Sequence, residues 1–153
     1  MFINSDFSDL LRIFNENGVK YLVIGGYALV HYAEPRLTKD LDLWISTDPA
    51  NSTAVYRSLL EFGAPLQGIS ASDFTDEGSF YQMGMPPVRI DIMMGIPGLR
   101  FEEAWEQRSE VVFDELPVLF ISREDLITVK RAAGRPQDLI DVDHLIKARQ
   151  KKR

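Results

Sequence analysis

The chain has 153 residues, 45% hydrophobic and 26% charged, with a net charge of −6 and no cysteine. Its length fits a single domain, residues 1–153, able to bury roughly two-thirds of the surface its unfolded form exposes. Disulfides and thiolate metal sites are excluded, and with only two His residues any bound metal should be a hard, oxygen-ligated cation, most simply Mg²⁺ or Mn²⁺.

Residues 5–17 place Phe7, Leu10, Leu11 and Phe14 at helical spacing behind an Asn4 or Ser5 cap, and Asn17-Gly18 stops the run. The opening residues carry neither a basic region nor a signal-type apolar core. No apolar run approaches the ~18 residues of a membrane span, so the expectation is cytoplasmic, with no membrane contact. Residues 20–24 read as a short buried strand ended by Gly25-Gly26, 27–32 as a helix broken by Glu34-Pro35-Arg36, and 40–45 as a second strand. A turn and cap at 48–52 leads into a helix to Phe62, stopped by Gly63, and 65–78 reads as loop. Strands follow at 79–83 and 88–93 with Pro86-Pro87 in the turn between them, then a short helix at 101–108 and short strands at 111–113 and 116–120. Ser122 caps a helix to Ala133; Gly134-Arg-Pro136 breaks it, and a last helix covers 137–147. The layout is a core of about 5–121 with C-terminal helices over about 122–149.

Charge is uneven along this layout. The tail Lys147-Ala-Arg-Gln-Lys-Lys-Arg153 is basic, as a helix end matched to its own dipole would be. The net acidity argues against nucleic-acid binding by phosphate neutralisation alone. Met83, Met85, Met93 and Met94 read as core filler. Phe113, Leu116, Leu119 and Phe120 suit either core or a homodimer interface, and His31 reads as a locally bonded helix residue.

The chemistry concentrates in residues 23–44. Asp40 and Asp42 alternate with Leu41 and Leu43, so on a strand both carboxylates leave one face while the leucines enter a core. Two like charges side by side raise at least one pKa, and a divalent cation between them removes that conflict. Asp91, in Val88-Arg-Ile-Asp-Ile-Met93, alternates in the same way. Beside Asp40 and Asp42 in one sheet it would complete a three-carboxylate set for two bridged cations. Gly25-Gly26, between strand and helix, lets backbone N–H groups approach phosphates. Arg36 and Thr38, in the loop before Asp40, are candidate phosphate or base contacts.

Gly25-Gly26, Asp40-Leu-Asp42 and a later strand Asp91 resemble the signature of the polymerase-β-like nucleotidyltransferase superfamily. Gly25-Gly-Tyr-Ala-Leu-Val-His31 with Arg36-Leu-Thr-Lys-Asp-Leu-Asp42 is similar to its minimal bacterial members, among them AbiEii-like toxins of type IV systems and lincosamide-type antibiotic nucleotidyltransferases. Lys130 followed by Asp138-Leu-Ile-Asp141 resembles the C-terminal pattern of the toxin branch. The resemblance implies an α+β nucleotidyltransferase fold: a short mixed sheet flanked by helices, with a C-terminal helical pair. It implies transfer of an NMP from an NTP such as ATP to a hydroxyl on tRNA, a protein or a small molecule, with an antitoxin as a potential partner. Asp40, Asp42 and Asp91 would be catalytic and hold Mg²⁺ (or Mn²⁺), with Asp91 helping to deprotonate the acceptor. Gly25, Gly26, Arg36, Thr38 and Lys130 would contact the nucleotide, and Asp138 would sit near the acceptor or orient Lys130. The alternatives are a non-catalytic nucleotide- or partner-binding module on the same fold and a metal-dependent phosphohydrolase.

Overall fold

A computed structural model describes residues 4–33, 38–85 and 88–151. Six strands form one mixed sheet in the order β3-β4-β2-β1-β6-β5. They are β1 (Tyr21–Ile24), β2 (Asp40–Ile45), β3 (Phe80–Met85), β4 (Val88–Met93), β5 (Ser109–Phe113) and β6 (Leu116–Phe120). The pairs β1–β6 and β2–β4 are parallel, and β1–β2, β3–β4 and β5–β6 are antiparallel. Around the sheet lie α1 (Ser5–Glu16), α2 (Gly25–Tyr32), α3 (Pro49–Phe62), α4 (Phe101–Glu106), α5 (Arg123–Ala133) and α6 (Pro136–Lys151). This is the expected α+β architecture, C-terminal helix pair included.

The helix ends follow local side-chain chemistry. Asn4, Asp48 and Ser122 each accept a backbone N–H of the first turn they precede, and Gly63 and Gly134 close α3 and α5 in left-handed conformations. Several elements depart from the expected boundaries, β5 (Ser109–Phe113) and α6 (Pro136–Lys151) among them. Gly25, at φ 70°, makes the whole turn by itself, so α2 starts there and not at Tyr27. A 3-10 turn, Ala71–Thr75, interrupts the expected loop and buries Phe74. Strand β3 runs on through Gly84 to Met85 because glycine tolerates the positive φ there. The Pro-Pro turn, the Glu34-Pro35-Arg36 break and Arg36 itself lie outside the described residues.

Alternation divides the sheet. Tyr21, Val23, Leu41, Leu43 and Ile45 are fully buried on one face, where Phe14 of α1 packs on Tyr21 with ring centroids 5.8 Å apart. On the other face Trp44 meets Phe101 of α4 edge-on at 5.2 Å, leaving the β2 end nearer Asp40 uncovered by that helix. Leu116 and Phe120 join the core, with Phe113 and Leu119 packed against it. Met83 and Met94 are core residues, but Met85 is 81% exposed on the outermost strand. His31 stacks on Phe120 at 4.7 Å. Among the described residues no helix is long and apolar enough to cross a membrane.

Asn51 anchors β1 and β2 at the end opposite the carboxylates. Its buried amide accepts the Lys20 N–H (2.7 Å) and donates to the carbonyls of Ser46 (2.8 Å) and Lys20 (3.2 Å). Replacing it removes three hydrogen bonds to the Lys20 and Ser46 backbone, so Asn51→Ala should cost about 2 kcal/mol. Urea unfolding checks this; an unchanged midpoint would remove Asn51 as the tie between these strands.

Candidate active site

The candidate site assembles where β1 ends, β2 begins and β4 runs alongside. Within the sheet Ile24 pairs with Asp42, Asp42 with Asp91, and Asp40 with Arg89. Residues opposed across adjacent strands share a face. Three carboxylates and one guanidinium therefore stand together on the sheet face away from Leu41 and Leu43. The single Asp-x-Asp of β2 creates the charge, and the parallel register of β4 completes it.

Gly25 fits its carbon skeleton under this group. A methyl group built on Gly25 would overlap the Asp42 carboxylate, and the residue's φ of 70° also disfavours a side chain. Gly26 has a different neighbour: an added Cβ would lie 2.8 Å from Cγ2 of Thr38. Thr38 thus packs on the second glycine, its buried hydroxyl without a hydrogen-bond partner among the described residues. Gly25→Ala should lower stability by about 2 kcal/mol and push Asp42 out of place. Thermal unfolding measures the first effect, and a wild-type melting temperature would contradict it.

The carboxylates differ in state. Burial, followed by the charges of Asp91 and Asp40, pushes Asp42 up to about 7, with a hydrogen bond to Asp91 adding to the rise and Arg89 opposing it. Arg89 reaches both neighbours: Nη2 lies 3.1 Å from Asp40 Oδ2, and Nε lies 3.2 Å from Asp91 Oδ1. Asp91 is 8% exposed, and its buried Oδ1 has no aligned hydrogen bond among the described residues. Tyr27 is held above its ordinary value, by burial first and then by the charge of Asp40.

Helices α5 and α6 form the opposite wall. Asp40, Asp42, Arg89, Asp91 and Gly25 share a cleft of about 370 Å³ with Lys130, Arg135 and Asp138. Apolar side chains, including Met93, Ile96, Leu126 and Val129, line the space between. Lys130 donates to Asp141 (3.0 Å) and lies 3.7 Å from Asp138. Asp138 is gripped by Arg135 through Nε (2.6 Å), Nη2 (3.1 Å) and the backbone N–H (3.2 Å). Gln137 donates to the second oxygen of Asp141 at 2.8 Å. Gly26 and Thr38 stand behind the Gly25 turn and do not line the cleft.

A family of proteins described as "Nucleotidyltransferase of unknown function (DUF6036)" matches residues 4–148. The chain belongs to that family. Two solved structures that share its fold illustrate the likeness. One is a lincosamide antibiotic adenylyltransferase, LnuA, bound to lincomycin: TM-score 0.59 at 16% identity, over 95% of this chain and 97% of that one. The other is an antigenic nucleotidyltransferase-like protein from Paracoccidioides brasiliensis: TM-score 0.51 at 15% identity, over 92% of this chain and 72% of that one. No curated protein matches in sequence.

Nucleotidyltransferases typically use divalent metals, and the donor set of this one suits a hard cation. It offers carboxylate oxygens alone, one of them buried without a hydrogen bond among the described residues and another group partly robbed of its charge by burial and then by its neighbours. Among the described residues no three acidic or histidine side chains are already gathered as a metal cluster. Arg89 instead bridges the first carboxylate to the third.

Three residues of the site were not among the sequence candidates. Arg89 was readable as a companion of Asp91, since both alternate out of the same strand face. Asp141 is the closer partner of Lys130, and Arg135 neutralises Asp138. Orienting Lys130 therefore falls first to Asp141, one helical turn beyond Asp138.

Proposed function

We propose that this protein is a metal-dependent nucleotidyltransferase that moves a nucleoside monophosphate from an NTP to a hydroxyl acceptor. The observation that carries the reading is the direct opposition of Asp42 and Asp91 across β2 and β4, in a cleft entered by Gly25 from one side and Lys130 from the other. Mg²⁺ or Mn²⁺, held by Asp40, Asp42 and Asp91, would supply Lewis-acid activation of the acceptor hydroxyl and charge neutralisation at the leaving pyrophosphate.

The chain's own residues account for the remaining requirements. The acceptor oxygen forms a bond to the α-phosphorus as the bond from that phosphorus to the β-bridging oxygen breaks, and pyrophosphate leaves. Asp91, buried and beside a carboxyl titrating near neutrality, accepts the hydroxyl proton. The glycine turn leaves room for the Asp42 carboxylate against the backbone, and Lys130, fixed by Asp141, contributes positive charge across the cleft. The apolar strip between β4 and α5 excludes water from the base or acceptor.

A small-molecule acceptor is the reading we favour. The cleft, at about 370 Å³, is small for a nucleotide and a macromolecular segment together, and a fold relative spanning nearly the same chain length is a lincosamide adenylyltransferase. Transfer to tRNA or a protein, as in a toxin with an antitoxin partner, is the alternative outcome of the same assay. Each α-³²P-labelled NTP, incubated with Mg²⁺ and separate small-molecule, RNA and protein fractions of a cell extract, should label the small-molecule fraction. The label should disappear with Asp40→Ala or Asp42→Ala. The internal pairing of Arg89 and Lys130 favours a second reading, a non-catalytic nucleotide-binding module. Nucleotide binding without label transfer to any fraction would select it.

A further inference from the structure

Two Arg–Asp contacts in this cleft are built differently. Arg135 grips Asp138 through two guanidinium nitrogens at 2.6 and 3.1 Å, the planar fork that gives such pairs their strength. Arg89 divides itself instead, one nitrogen 3.1 Å from Asp40 and another 3.2 Å from Asp91. Its Nε and the facing Asp91 Oδ1 are both buried, yet among the described residues neither is in an aligned hydrogen bond. The contact is one of charge with poor fit. It nevertheless sits where repulsion among Asp40, Asp42 and Asp91 is greatest, and its side chain remains 32% exposed.

We propose that Arg89 is a resident counter-ion: it holds the carboxylates together while no metal is bound and gives up Asp40 and Asp91 when a divalent cation enters. The proposal rests on the metal-dependent reading of the site. A guanidinium and a divalent cation cannot share the same two oxygens without strong repulsion. An ill-fitted partner is the kind that exchanges readily, whereas Arg135, although its side chain is 78% exposed, is held on Asp138 by its fork. Arg89 therefore lowers the intrinsic metal affinity of the site, and in doing so protects the metal-free fold from three crowded charges.

Removing the charge of Arg89 should tighten metal binding, the reverse of what loss of a supporting residue does. By isothermal calorimetry with Mn²⁺ alone, Arg89→Gln should bind about tenfold more tightly than wild type, and Arg89→Lys should return most of the way. An unchanged or weaker affinity in Arg89→Gln, with wild type binding Mn²⁺ and Asp42→Asn not, would overturn this inference and leave the metal-dependent reading standing. Wild type binding no Mn²⁺ at millimolar concentration would overturn both. A second measurement needs no variant at position 89 except for assignment. In wild type the buried Arg89 Nε–H should exchange slowly with solvent by NMR, and saturating Mg²⁺ should accelerate that exchange severalfold. Exchange unaffected by bound Mg²⁺ would mean that the guanidinium stays where it is, and the proposal would fail.

Discussion

Asp42→Asn should abolish nucleotidyl transfer while making the metal-free protein more stable at pH 8. The two effects have one origin. Burial and the charges of Asp91 and Asp40 raise the Asp42 carboxyl from an ordinary value near 3.8 to about 7, so the folded chain keeps a proton that the unfolded chain releases. Where the folded state binds more protons, stability falls as pH rises. Wild type should accordingly lose stability between about pH 4 and pH 7 from this group, and stay level above it. The full shift corresponds to on the order of 4 kcal/mol, an upper bound because the neighbouring carboxylates titrate together. Asparagine has the shape of the protonated acid and still donates to Asp91, so the variant should lack this slope. Excess Mg²⁺ should raise the wild-type melting temperature at pH 8 and leave that of Asp42→Asn nearly unmoved. Transfer by the variant should fall by at least ~10³-fold, since the missing charge is one the transition state requires. Denaturant unfolding of both proteins from pH 4 to 8, with and without Mg²⁺, provides the check. A wild-type curve flat over that range, or a variant retaining a tenth of the activity, would disprove this account of Asp42.

The parts of this site that were legible in the sequence are those fixed within a few residues. Alternation in Asp40-Leu-Asp42 determined which side chains leave the core, and Asn4, Asp48, Ser122, Gly63 and Gly134 marked helix ends by their own chemistry. The family resemblance supplied what alternation could not, namely that a strand some fifty residues later belongs beside β2. The parallel register that sets Asp91 opposite Asp42 depends on β4 and its partners folding together, and no local pattern encodes it. Arg89 shows the same limit. Its place on the strand face was visible, but its division between two carboxylates follows only once β2 and β4 are aligned. Between Asp138 and Asp141 the family pattern weighted the first, while the α5–α6 crossing brings the second closer to Lys130. Met85 departs from the core reading because β3 is the outermost strand and nothing among the described residues covers its end.

Lys130→Ala should be the most destabilising single change on the helical wall, because it removes the cation between two buried carboxylates. Asp138 and Asp141 are each 2% exposed, and Lys130 lies within ion-pair reach of both. Breaking a buried ion pair from one side leaves an uncompensated charge, at a typical cost of about 3–5 kcal/mol. The two carboxylates are not equally exposed to this loss. Asp138 keeps its fork to Arg135, which holds it below the usual carboxylate range against the opposing effect of burial. A carboxylate so depressed stabilises the fold above about pH 4 and ceases to as pH falls through its folded value. Asp141 is the carboxylate to which Lys130 donates directly, at 3.0 Å against 3.7 Å for Asp138. The cost should therefore arise mainly at Asp141, so Asp141→Asn should recover much of the stability that Lys130→Ala loses, whereas Asp138→Asn should not. A loss near 3 kcal/mol would lower the melting temperature by about 10 °C in a domain of this size. Measuring transfer well below that temperature separates the two duties of Lys130. If it also faces the triphosphate, the Lys130→Ala, Asp141→Asn pair stays folded yet remains slow, and Lys130→Arg regains part of the rate. A fully active double variant would confine Lys130 to holding α5 against α6.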